Sequence, residues 1–101
     1  MAEIESSASA FAQVESLPEA LAFEMVERVD VLVAFPEMGA PIMSKDPGLP
    51  KCRQFIVRRA HRVVYEYDEA AGVVYILAVQ HCRQRPPTGR ELKRRLPPDE
   101  S

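Results

Sequence analysis

Seven consecutive apolar residues, Val73-Val74-Tyr75-Ile76-Leu77-Ala78-Val79, constrain this chain more than any other feature. A β-strand points alternate side chains to opposite faces, so a run that is apolar at both parities needs cover on both sides. The run is rich in β-branched residues, and Asp68-Glu69-Ala70-Ala71-Gly72 precedes it as a turn, which makes it a strand. Two more strands lie upstream. Cys52 to Val57 alternates, and His61 to Asp68 is rich in Val and Tyr. Arg58-Arg59-Ala60 and the Asp68–Gly72 segment have lengths suited to antiparallel hairpins. The three strands form a meander, with Val73–Val79 expected as its central, doubly covered member.

The first half of the chain has a different period. Ala22, Met25, Val26, Val29, Leu32 and Val33 recur at the spacing of one apolar helix face, which leaves Glu24, Glu27, Arg28 and Asp30 largely off it. Ser16-Leu17-Pro18-Glu19 has the S-x-x-E spacing of a capping box and sets the predicted helix start; Pro36 sets its end. Ser7 to Val14 predicts a brief helix packed on the main one. Helices first and strands second give an α+β fold. Residues 1–96 are read as one domain, with a short basic helix at Glu91–Leu96 and a flexible tail at 97–101. The 101 residues suffice for one core, and two cysteines are too few for a disulfide scaffold. No run reaches the roughly 18 apolar residues of a membrane span, and no signal-peptide pattern opens the chain. A cytoplasmic protein with reduced thiols and no membrane partner is expected.

Charge divides at residue 50. Residues 1–50 carry nine acids against Arg28 and Lys45, whereas residues 51–95 carry eleven bases, mostly Arg, against four acids. The net charge of −2 conceals this asymmetry. Arg53, Arg58, Arg59, His61, Arg62, His81, Arg83 and Arg85 are therefore the candidate surface for a phosphate or carboxylate partner. On the second strand Arg62 shares parity with Val64 and Glu66, while Val63, Tyr65 and Tyr67 point the other way. Only His61 and His81 have ordinary pKa values near neutrality, so proton transfer at pH 7 would fall to them. Ser16, Ser44 and Thr88 lack a nucleophile motif. A zinc set of Cys52, His61, His81 and Cys82 is disfavoured because adjacent strand residues face opposite ways. Neither a metal nor a cofactor is expected.

Four segments taken in order carry a resemblance. Leu32-x-x-Phe35-Pro36-Glu37-Met38-Gly39, Cys52-Arg53-Gln54-Phe55-Ile56-Val57, His61-Arg62-Val63-Val64-Tyr65-Glu66-Tyr67-Asp68 and Val73 through His81-Cys82-Arg83 resemble the RelE/ParE superfamily of bacterial toxins. The resemblance implies an N-terminal helical hairpin packed on a twisted antiparallel sheet. It also implies a type II toxin–antitoxin pair, in which a cognate antitoxin wraps the toxin and contact with operator DNA runs only through that antitoxin. RelE-like members cleave mRNA on the ribosome, many with a tyrosine near the C-terminus; ParE-like members inhibit DNA gyrase. Arg62 matches the family's central-strand arginine. The C-terminal end departs from the RelE pattern, since no tyrosine follows Tyr75, Thr88 stands near its place, and Pro86-Pro87 opposes a helix. The resemblance thus implies the ParE-like branch, with Arg58, Arg59, Arg62, His81, Arg83 and Arg85 contacting target or antitoxin and no catalysis. Its alternatives are an mRNA endoribonuclease, with Arg53, Arg62 and Arg83 on the phosphate and His81 moving protons, and a non-toxic member acting only in autoregulation. The short stretch ahead of Pro18 implies that the family's first strand or first helix is reduced or absent.

Overall fold

The computed structural model describes residues 2–42 and 52–83. Arg85, the expected helix at Glu91–Leu96 and the tail at 97–101 lie outside the described residues. Five strands and two helices follow the order β1 (Glu3–Ser6), α1 (Ala8–Glu15), α2 (Glu19–Ala34), β2 (Ala40–Pro41), β3 (Cys52–Val57), β4 (His61–Asp68) and β5 (Val73–His81). The sheet order is β1-β5-β4-β3-β2, antiparallel throughout except that β1 runs parallel to β5. The α+β expectation of a helical hairpin on a sheet holds, with two refinements: the sheet is mixed, and β4 occupies its centre with β5 beside it. Both N-terminal elements are present in short form. β1 is the four-residue Glu-Ile-Glu-Ser segment, too polar and too brief to read as a strand, and it is held by pairing with β5.

Helix α1 begins at Ser7, whose Oγ accepts from the Ala10 N–H at 3.1 Å and donates to the Leu77 carbonyl at 3.1 Å. One side chain thus caps the helix and ties it to β5. The capping box expected at Ser16 does not form. Ser16 closes α1 instead, donating its Oγ proton to the Gln13 carbonyl at 2.7 Å, and Pro18 stands at the N-cap of α2 without a side-chain cap. The physical reason is proximity: the helices are so close in sequence that the end of α1 claims the serine first.

Met25 and Leu32 of α2 are fully buried against Val57, Val63, Tyr65, Val74, Ile76 and Val79 of the sheet. Val29 packs at the margin of that core, but Val26, placed in the core stripe by its spacing, is 49% exposed beside a groove between the helices. The opposite face of the sheet has its own small core of Cys52, Val64, Leu77 and Ala78, with Ile42 and Tyr75 packed against it. The double burial read from the apolar run is therefore present. A bulge interrupts the pairing: Val64 pairs with Ala78 and Tyr65 with Ile76, leaving Leu77 as the extra residue of β5. Side-chain parity switches at that point. Val74 and Ile76 face the helices before the bulge, and Val79 and His81 face them after it.

The segment after α2 is fastened to the sheet by residues of the resemblance motifs. The buried Tyr65 hydroxyl donates to the Pro36 carbonyl and accepts from the Gly39 N–H, each at 2.8 Å. Burial raises the phenol's pKa, which keeps it a neutral donor. A Cβ on Gly39 would lie 2.8 Å from the Tyr65 ring and 2.9 Å from the Gln54 carbonyl oxygen, so only glycine fits there. Asp68 Oδ1 accepts from the Ala71 N–H at 3.1 Å, and Gly72 takes φ +68° to complete the β4–β5 turn.

Candidate functional site

The basic residues converge less than their sequence clustering suggests. Arg53 on β3 is committed to structure: its Nη1 donates to the carbonyls of Gly39 at 2.8 Å and Glu37 at 3.1 Å, which secures the segment that Tyr65 also holds. Arg58 and Arg59 form the tip of the β3–β4 hairpin. Arg58 is ion-paired with Glu24 of α2, and Arg59 is exposed. Both have left-handed backbones, φ 53° and 59°, and the Ala60 N–H closes on the Val57 carbonyl at 3.1 Å. Two consecutive positive φ values across such a bond are the pattern of a type I′ turn, which Asn-Gly normally occupies.

Cross-strand register places Arg62 and His61 on opposite faces. Arg62 pairs with Gln80 and Ile56 on the face away from the helices. Its Nε and Nη1 are buried and have no hydrogen-bond partner, as is the Oε1 of Gln80. Glu66 shares that face four residues along β4, their Cα atoms roughly 13 Å apart at about 3.3 Å per residue. Burial first, and Asp68 second, raise the Glu66 pKa above the usual carboxylate value.

His61 and His81 are partners across β4 and β5 on the helix side. Their rings meet edge to face, centroids 5.2 Å apart and planes at 73°. Arg83 follows, and its backbone N–H donates to His81 Nδ1 at 3.1 Å. These three residues and one side of α1 line an open cleft of about 750 Å³, whose apolar floor is Ala12, Leu17 and Val79. Burial, reinforced by the neighbouring His81, lowers the His61 pKa. The pairing of the two histidines was not legible in the sequence, because plain alternation puts His81 on one face with Tyr75 and Leu77. Only the bulge reverses that, and no residue type announces it.

The thiols are separate. Cys52 is buried, and burial together with Glu66 pushes its pKa up to about 11, so it is a poor nucleophile; Cys82 is partly exposed. Among the described residues no cluster of three or more His, Cys, Asp or Glu could hold a metal ion, and no helix is long and apolar enough to cross a membrane.

A second surface is apolar. A groove of about 250 Å³ runs between α1, α2 and the sheet, with Met25, Ile76 and Val79 inside and Phe11 and Val26 at its rim. Phe11 is 60% exposed, and Phe23, one turn from Val26 on α2, is 67% exposed. Exposed aromatic and aliphatic side chains gathered around a groove mark an interaction surface.

Residues 4–86 match the family model described as the ParE toxin of the type II toxin–antitoxin system parDE. No curated protein sequence matches the chain. Among solved structures, the fold is similar to that in the intact RelBE toxin–antitoxin complex of E. coli (TM-score 0.69, 16% identity, covering 83% of this chain and 100% of that one). It is likewise similar to a chain of the RelBE2 toxin–antitoxin complex of Mycobacterium tuberculosis (TM-score 0.68, 22% identity, 79% and 96% covered). The archaeal RelE–RelB complex from Pyrococcus horikoshii gives a TM-score of 0.66 at 20% identity, with 83% and 98% covered. At these identities the structural likeness concerns the fold.

Proposed function

The chain belongs to the ParE toxin family of type II toxin–antitoxin systems, and on that premise we propose that it is a binding toxin that occupies a macromolecular target, DNA gyrase, without cleaving RNA. The observation that carries this reading is the division of the cationic groups between faces. The nucleolytic alternative needs Arg53, Arg62 and Arg83 on one phosphate with His81 moving its protons. Arg53 is spent on two backbone carbonyls, and Arg62 faces away from His61 and His81. The orphaned donors of Arg62 would suit a phosphate, yet both histidines of the chain lie on the opposite face of the sheet, away from that phosphate. Binding through the exposed Arg58–Arg59 tip asks for no such convergence.

Neutralisation by a cognate antitoxin belongs to the same proposal. The groove rimmed by Phe11 and Val26 is the seat for an apolar segment of that partner, and the solved relatives in toxin–antitoxin complexes make such a partner the natural occupant. Co-expression with a cognate antitoxin tests it. Induced expression of the chain arrests growth, the antitoxin relieves the arrest, and Val26→Asp in the groove abolishes the relief while leaving the arrest intact. Absence of arrest on induction would favour the non-toxic, autoregulatory alternative. Relief unaffected by Val26→Asp would remove the groove from the interface.

A further inference from the structure

The segment after α2 has side chains that the reading above leaves unused. Its backbone is pinned: Tyr65 holds the Pro36 carbonyl and the Gly39 N–H, and Arg53 holds the carbonyls of Glu37 and Gly39. The side chains along it face solvent. Phe35 is 64% exposed and Met38 42%, and Glu37 is exposed between them. The fastening runs through backbone groups, so it asks for no large apolar side chain at either place. With Tyr67 of β4 and Glu69 of the β4–β5 turn, these residues line a cavity of about 560 Å³, within the roughly 300–1,000 Å³ usual for ligand sites.

The lining has one sign of charge. Two aromatic rings and a thioether make the walls, and the carboxylates of Glu37 and Glu69 are its charged groups among the described residues. Neither is in an ion pair among those residues, and Arg53, which reaches the Glu37 carbonyl, is not in the lining. The helix adds to the negative field. The pocket lies at the C-terminal end of the sixteen-residue α2, where carbonyls without donors give a helix its negative pole. The last turn of α2 contains no basic residue, and the Leu32 carbonyl lacks its helical donor because residue 36 is proline. Such a pocket repels an anion and suits a cation. A bare metal ion fits poorly, because hard cations take about six to eight oxygen ligands and apolar walls supply none. A guanidinium meets every part of the lining: its planar face stacks on aromatic rings, its fork pairs with carboxylates, and it sheds water more readily than an ammonium.

We propose that this pocket takes an arginine side chain from a partner protein, paired by Glu37 and Glu69 and stacked against the Phe35 and Tyr67 walls. Its lining shares no residue with the groove rimmed by Phe11 and Val26 or with the Arg58–Arg59 tip, so it stands independently of the gyrase reading. The backbone anchors hold Phe35, Glu37 and Met38 in place before the partner arrives, which lowers the ordering cost of binding.

The probe is a blocked tripeptide, N-acetyl-alanyl-arginyl-alanine amide, titrated into the whole chain while NMR follows the Met38 methyl and the Tyr67 ring. Both signals shift along saturating curves, with half-saturation at about 10 mM or below. Citrulline in place of the arginine keeps the shape without the charge and weakens binding at least about fivefold; lysine weakens it about twofold or more. Glu69→Gln, on an exposed turn, weakens the arginine peptide by about two- to fivefold, and Glu19→Gln, at the other end of α2, leaves it unchanged. Backbone amide spectra establish that both variants are folded. Absence of shifts would overturn the proposal, as would a citrulline or lysine peptide that binds as tightly as the arginine one, or a Glu69→Gln variant with undiminished affinity.

Discussion

The hairpin tip offers the sharpest test of the link between sequence and backbone. Arg58 and Arg59 both have positive φ, a conformation that costs an L-residue about 1–2 kcal/mol. Arg58 recovers part of this through Glu24, but with its side chain 55% exposed that ion pair is worth no more than about 1 kcal/mol. Arg59 is exposed and has no ion pair among the described residues. Arg59→Gly removes its strain and adds about 0.5–1 kcal/mol of unfolded-chain entropy, so the net gain is about 0.5–1 kcal/mol. For a chain of this length that raises Tm by about 2–8 °C. Thermal unfolding followed by circular dichroism reads it, with Arg59→Ala as the control that keeps the Cβ and therefore the strain. Glycine should stabilise and alanine should not. Equal midpoints for the two would refute the claim that this position stores strain. If the tip also serves target binding, Arg59→Gly weakens growth arrest even as it stabilises the fold.

Three further outcomes follow from the same geometry. Tyr65→Phe leaves the Pro36 carbonyl and Gly39 N–H without their partner and should lower stability by about 1–3 kcal/mol, measured by urea unfolding; a change below a few tenths would contradict the clamp. His61 has a depressed pKa in the folded state, so the unfolded chain binds its proton first as pH falls. Its contribution is complete above the unfolded value near 6.5 and is lost as pH falls through the folded value, and His61→Gln should flatten the acid side of a stability–pH curve. Cys52, with its pKa near 11, should resist alkylation at neutral pH until the protein unfolds, whereas Cys82 is modified in the native state; mass spectrometry of the labelled peptides distinguishes them.

What could be read beforehand depended on how local its cause is. The bounds of β3 and β4 follow from alternation and turn residues, and α1 and α2 from periodicity near Ser7 and Pro36. β1 and β2 are made by pairing with strands far along the chain, which four residues and two residues cannot announce. The motif positions Gly39, Arg53, Tyr65 and Asp68 were visible as a pattern, but their shared task of fastening a segment and a turn to the sheet appears only in three dimensions. The candidate site was half legible. His61, His81 and Arg83 stood out by residue type, yet the bulge at Leu77 decides that His81 shares a face with His61, while Arg62, next to His61 on β4, faces away.

That separation is what the binding reading rests on, and one side-by-side measurement addresses it. The purified chain is assayed for inhibition of DNA supercoiling by gyrase and for ribosome-dependent cleavage of mRNA at the same concentrations. The account predicts loss of supercoiling with the mRNA intact. Cleaved mRNA with undisturbed supercoiling would contradict it.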